Sequence, residues 1–134
     1  MNKWLRAVCV GAAAAAMLTA SAFAANYTNC ADSLHEMGLF QGTQNGYDLD
    51  RTPTRAEASV MLVRLLGKEA EAKALTYTAP FTDLKGWEKP YVQYLYSNGL
   101  ANGTSRTTFN PTGKCTAQMY AVFLLRALGY SDTA

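Results

Sequence analysis

The sequence predicts an all-α protein, a small helical bundle made of two tandem helix-loop-helix units. Three observations carry this. The chain repeats itself, each copy holds an apolar run of helical length, and a glycine closes every such run. Over "LHEMGLFQGT", residues 34–43, Leu34, Gly38, Leu39, Gly42 and Thr43 match Leu95, Gly99, Leu100, Gly103 and Thr104 at an offset of 61. Over "GYDLDRTPTRAEASVMLVRLLG", residues 46–67, Thr54, Leu62, Arg64, Leu66 and Gly67 match Thr116, Leu124, Arg126, Leu128 and Gly129. The offset there is 62, so the turn between the two matched blocks has gained one residue.

The elements follow in order. Residues 1–24 carry Lys3 and Arg6, then an Ala-rich apolar run ending in Ala22-Phe23-Ala24, the pattern of a secretory signal peptide. A first unit over 25–76, with its connector, and a second over 77–134 then share one plan. The first helices are expected over 27–38 and 88–98, with Gly38 and Gly99 as left-handed C-terminal caps. A polar loop follows, and its lone aromatic, Tyr47 or Phe109, is placed to plug the core. The second helices are expected over 54–66 and 116–128, opened by Thr54 or Thr116 as N-cap and ended by Gly67 or Gly129. Both are apolar on nearly all sides, which demands burial. One helix pair cannot enclose two such helices, so the units must pack on each other or on a further copy. Residues 68–80 read as a short helical extension and a connector.

Composition excludes several functions. The chain has 12 Lys+Arg against 10 Asp+Glu, and loss of the leader would leave ten of each. Nothing then calls for nucleic acid or a polybasic membrane patch, and no membrane span is expected after signal cleavage. His35 is the single histidine and no Cys-x-x-Cys occurs, so neither a metal site nor a cofactor is expected. No nucleophile–His–acid set, phosphate loop or pair of opposed carboxylates is available, and an enzyme is not expected. Cys30 and Cys115 remain in an exported protein. They are candidates for a disulfide worth about 4 kcal/mol in the chain-entropy account, with two buried free thiols as the alternative.

The ordered motifs "FTDLKGWEKPYVQYLYSNGLANGT…TFNP" and "GLFQGT…GYDLDRTPTRAEASVMLVRLLG" resemble the S-layer homology (SLH) repeat. That family shows Phe-x-Asp, a following Trp, a helix ending in Gly-hydrophobic-x-x-Gly, an aromatic-x-Pro turn, and Thr-Arg-Ala-Glu opening a second helix. The resemblance implies a module, usually of three repeats in a pseudo-trimer, that binds secondary cell-wall polymer, often pyruvylated. Such modules hold exported proteins on the bacterial surface. It also implies glycan contacts at the positions occupied here by Arg55, Asp83 and Trp87. Departures are plain: the first unit lacks Phe-x-Asp…Trp, the second has Ala117 in place of the arginine, and no third unit follows. The pseudo-trimer would be incomplete, with Arg55 and Trp87 forming one composite groove. The alternatives are a degenerate module working in protein assembly, by self-association or with a further SLH repeat, and a piece of a longer three-repeat protein.

Thr54 and Glu57 are accounted for as a capping box. Arg55 is not, because a cation at a helix start opposes the macrodipole unless an anion lies near. Asp48, Asp50 or Glu57 could supply one within the chain, and a wall-polymer carboxylate could supply one from outside. As an exposed side chain at the first helical position, Arg55 should be replaceable with little loss of stability. Trp87 could be a hydrophobic staple or a sugar-stacking face, and Asp83 should cap the turn ahead of its helix.

Overall fold

The repeat is visible in hydrogen bonds. In the computed structural model, which describes residues 27–130, helix α1 covers residues 27–36. It is followed by α2 (Arg55–Leu65), α3 (Glu69–Ala74), α4 (Lys89–Ser97) and α5 (Ala117–Ala127). Among the described residues there is no strand, only two isolated bridges. The leader expected over residues 1–24 lies outside the described residues. Each long helix ends in the same left-handed glycine turn, at Gly38, Gly67, Gly99 and Gly129, with φ between 67° and 90°. Behind the first helices Leu39 N–H donates to Leu34 O (2.9 Å) and Leu100 N–H to Leu95 O (2.8 Å). Behind the second, Lys68 N–H donates to Val63 O (3.0 Å) and Tyr130 N–H to Leu125 O (3.1 Å). These pairings satisfy carbonyls that a helix end otherwise leaves orphaned. Asp48 and Asn110, equivalent residues after the loop aromatics, both adopt positive φ, 52° and 60°, which Asp and Asn tolerate best after glycine.

The chain divides into two compact units, Met1–Leu49 and Asp50–Ala134. In the first, α1 is followed by a loop whose Tyr47 ring lies against Phe40 (5.4 Å between centroids) and His35 (5.9 Å). The Tyr47 hydroxyl donates to Asp32 at 2.8 Å. Tyr47 is only half-buried, so as a plug it is weaker than Phe109, which is fully buried.

The second unit is built around α2, which packs against α3, α4 and α5. Apolar character on most sides requires such enclosure, and Ala56, Ala58, Val60, Leu62 and Val63 are all buried. The small side chains among them leave room for larger ones on α4, where Tyr91, Val92, Tyr94 and Leu95 are buried. Leu62, Val63, Val92, Leu95 and Phe109 lie at the centre, each contributing roughly 1.5–3 kcal/mol by leaving water. Ser59 is fully buried yet satisfied, its hydroxyl donating to Arg55 O at 2.8 Å.

Two carboxylates brace these helices, one at the start of α2 and one between α2, α3 and α4. Glu57 completes the predicted capping box with Thr54 and takes two hydrogen bonds from the Arg51 guanidinium (2.6 and 2.8 Å). Glu69 on α3 accepts from the Tyr91 hydroxyl of α4 (2.6 Å) and pairs with Lys73 (2.9 Å) and Arg64 of α2 (3.3 Å). The Arg51 hydrogen bond holds the Glu57 pKa down at about 2, and the Tyr91 and Lys73 hydrogen bonds hold Glu69 at about 2, against 4.5 for an ordinary glutamate. Because both are lowered in the folded state, their stabilisation is complete above pH 4.5 and is lost as pH falls from 4.5 towards 2. Urea midpoints measured across that range should therefore drop steeply, and Glu57→Gln should flatten part of the slope. An unchanged slope in that variant would show the Arg51 pairing to be of no consequence.

Candidate functional site

The start of α2 is where the second repeat meets the first. Thr54 accepts from Glu57 N–H at 3.2 Å, as the capping box requires. The two preceding helical N–H groups are taken by the loop of the second repeat: Arg55 N–H donates to Gly113 O (2.8 Å) and Ala56 N–H to Pro111 O (3.0 Å). Cys115 N–H returns a bond to Pro53 O at 2.8 Å. No N–H at the first three helical positions is left for an outside anion.

Arg55 itself is buried, with 6% of its surface exposed, which corrects the expectation of an exposed, dispensable side chain. Its Nε donates to Phe109 O at 2.9 Å and an Nη to Asn102 O at 2.9 Å. The guanidinium also lies over the Phe109 ring, 4.4 Å from its centroid, and 5.7 Å from that of Phe123, within cation–π range. The partner is thus neither Asp48, Asp50 nor Glu57, nor a free ligand position, but backbone carbonyls of the 102–109 loop. Burial pushes the Arg55 pKa down, and the nearby Cys115 and Asp83 oppose that shift.

Asp83 serves the same loop from the other side. Its carboxylate accepts from Phe109 N–H (2.9 and 3.1 Å) and Asn110 N–H (2.7 Å). It therefore caps a segment 26 residues further on rather than the turn ahead of its own helix. Burial raises the Asp83 pKa, but these N–H bonds and the Arg55 charge outweigh it and leave the group below its usual value. Arg55 on the carbonyl side and Asp83 on the N–H side hold Phe109 in the core. The loop leaves little slack: a Cβ on Gly103 would collide with the Phe81 ring and with the carbonyls of Ser105 and Thr108.

Trp87 is in a different position. It is 61% exposed, in the turn before α4, and so is not a buried staple. Sequence reasoning missed the residue that fixes that turn. Glu88 is buried, and its carboxylate accepts from Lys85 N–H (2.9 Å) and Gly86 N–H (3.0 Å). The short Gly86-Trp87-Glu88 spacing is the only sequence cue to that closure. Thus the structure joins Arg55 to Asp83 around the loop and leaves Trp87 facing solvent from a braced turn.

The remaining expected residues are placed as follows. Thr116 caps α5 by accepting from Met119 N–H at 3.2 Å; the box is incomplete because Met119 stands where Glu57 does in α2. Cys30 and Cys115 are both free thiols, Cys30 exposed and Cys115 buried, so the disulfide candidate is not formed. Among the described residues no group of three His, Cys, Asp or Glu side chains is placed to hold a metal ion, and no helix is long and apolar enough to cross a membrane.

Removing the Arg55 fork would strand the buried Phe109 carbonyl and release that of the exposed Asn102. Hydrogen bonds from a charged donor contribute about 1.5–3 kcal/mol each, so Arg55→Ala should lower unfolding free energy by roughly 2–4 kcal/mol. Arg55→Lys should recover only part of it, since one ammonium cannot reproduce a two-pronged planar donor. Chemical denaturation would check both; a loss below about 0.5 kcal/mol for the alanine variant would mean the latch is idle.

Comparison with known proteins agrees with this architecture. The S-layer homology domain matches residues 80–116, the stretch from the Phe81 segment through the latched loop to the cap of α5. The "Middle cell wall protein" of Brevibacillus brevis is 32% identical over 122 residues, 89% of this chain and 12% of that protein. The "Surface layer protein" of Brevibacillus choshinensis is 30% identical over 103 residues, 75% of this chain and 9% of that protein. An "Endoglucanase" of a Bacillus species is 44% identical over 52 residues, 37% of this chain and 6% of the enzyme. The chain thus spans about an eighth or less of the curated relatives it matches here. By that match and these relatives, the chain carries an S-layer homology domain.

Proposed function

We propose that this chain is a non-catalytic module of the bacterial cell surface that attaches to wall glycan through the turn bearing Trp87. The observation that carries the reading is the exposed indole on a turn braced from within. An apolar ring of this size is costly to leave in water without a use, and its flat face suits the C–H face of a sugar at little entropic cost. Lys85 and Lys89, both exposed, flank it and suit a polymer bearing carboxylates, such as a pyruvylated secondary wall polymer. Arg55 and Asp83 enter this reading as the clamp behind the surface. The names of the relatives, a cell-wall protein and a surface-layer protein, support the location. The short overlap with an endoglucanase fits an attachment module shared by proteins of different activity.

Sedimentation of the protein with purified wall sacculi, with and without their non-peptidoglycan polymer, tests this. Binding should require the polymer, and equal binding to stripped sacculi would refute the reading. Trp87→Ala should weaken binding by about tenfold or more, as loss of a stacking contact of 1.5 kcal/mol or so would. Its unfolding free energy should stay within about 0.5 kcal/mol of the parent, as for an exposed site.

A further inference from the structure

Three Asn-Gly pairs occur in the chain, at Asn45-Gly46, Asn98-Gly99 and Asn102-Gly103. Asparagine is thermolabile, most of all before glycine. The next main-chain nitrogen can attack its side-chain amide, and a residue without a Cβ does not block the approach. The fold guards two of the pairs. Gly46 N–H donates to Thr43 O (3.1 Å) and Gly99 N–H to Tyr96 O (3.1 Å), and the Asn98 amide is itself tied to Tyr94 O at 2.8 Å. The third pair is unguarded: Gly103 N–H has no acceptor among the described residues. Asn102 is exposed, and among the described residues no hydrogen bond holds its side chain. Nor does the fold admit another residue at Gly103, because the Phe81 ring and two carbonyls occupy the place of a Cβ.

Arg55 adds the chemistry. Its Nη donates to Asn102 O at 2.9 Å, the carbonyl of the same peptide group whose nitrogen is Gly103 N. When that nitrogen gives up its proton, the negative charge spreads onto this oxygen. A guanidinium already bonded there stabilises the anion, as a preorganised donor does wherever charge develops. The same donor polarises the Asn102 carbonyl carbon towards attack by water.

We propose that Asn102-Gly103 is a site of self-modification, in which Arg55 activates the Gly103 nitrogen against the Asn102 side chain. Gly103 N, its proton lost to water, bonds to Asn102 Cγ. The Cγ–Nδ2 bond breaks, and Nδ2 takes up a proton and leaves as ammonia. Water then opens the resulting succinimide at the main-chain carbon that Arg55 polarises. The bond from that carbon to Gly103 N breaks, the nitrogen regains a hydrogen, and the carbon is left as a carboxylate. The product is isoaspartate. Its main chain runs through Cβ and Cγ, one atom longer than before, and the carbonyl that Arg55 held has become an anion. The reaction needs no cofactor and does not depend on glycan binding.

Incubating the purified protein in neutral buffer, folded or unfolded in urea, tests this. Peptide mass mapping and enzymatic methyl labelling of isoaspartate report each site. In urea the three pairs should react at similar rates. In the folded protein Asn45 and Asn98 should slow by roughly tenfold, because a hydrogen bond must break before attack, whereas Asn102 should not slow. Arg55→Gln, shown by circular dichroism to be folded, should cut the folded rate at Asn102 several-fold and leave the rate in urea alone. A purely structural Arg55 would do the reverse, since a loosened loop reacts faster. Folded Asn102 as slow as Asn45 would overturn the inference, and so would an Arg55→Gln rate equal to or above the parent's. The comparison of folded with unfolded parent decides the matter even where that variant does not fold.

Discussion

The guanidinium of Arg55, held between the carbonyls of Asn102 and Phe109, is the interaction on which the second compact unit turns. It fixes a long irregular loop onto the N-terminus of a helix, with Phe109 lying 54 residues after Arg55. With the loop in place, Phe109 fills the core, and Gly113 and Pro111 close the helix start. A cation at that position opposes the helix dipole by roughly 0.3–1 kcal/mol. The charged hydrogen bonds it makes are worth several times that, so the arrangement is favourable without a counter-anion in direct contact. Asp83, bonded to the N–H groups of the same loop, completes the grip. One segment is held by its acceptors and by its donors at once, and only an arginine has the spread of donors to reach two separate carbonyls while lying flat on an aromatic ring.

Much of the architecture was legible in the sequence because it is local. Glycine at a left-handed cap, threonine and glutamate three residues apart, and an apolar helical run each report on neighbours a few positions away, and the structure follows them. Helix limits came out one or two residues long at the C-terminal ends because the glycine turns claim the last positions. The role of Arg55 was not legible, and the reason is chemical. Its partners are backbone carbonyls, which every residue carries, so no side-chain pattern announces them. A search for carboxylates could find Glu57 or Asp50 but never Asn102 O. Glu88 escaped notice on the same ground, since its carboxylate binds backbone N–H groups. The contrast of α2 with α5 was hidden for another reason. Their patterns are nearly identical, and only the presence of a covering helix separates a buried Val63 from an exposed Leu125.

The unit of sequence and the unit of packing are therefore out of phase. Sequence repetition runs from first helix to second helix, whereas packing joins α2, from one repeat, to α3, α4 and α5. In the joint this makes, the face of α2 takes α4, the first helix of the next repeat. The residues that bridge a joint, Arg55 on one side and Asp83 with Phe109 on the other, belong to different repeats. Neither repeat is complete in the absence of its neighbour.

This offset has a temporal side. A chain exported N-terminus first delivers Arg55 54 residues ahead of the Phe109 carbonyl it holds. Until the later segment has crossed, α2 is an apolar helix with an uncovered flank and a desolvated cation in prospect but no acceptor. Folding of this unit is thus timed by its last third rather than its first. The arginine is in this sense a late-closing clasp, since both carbonyls it holds lie on the later segment.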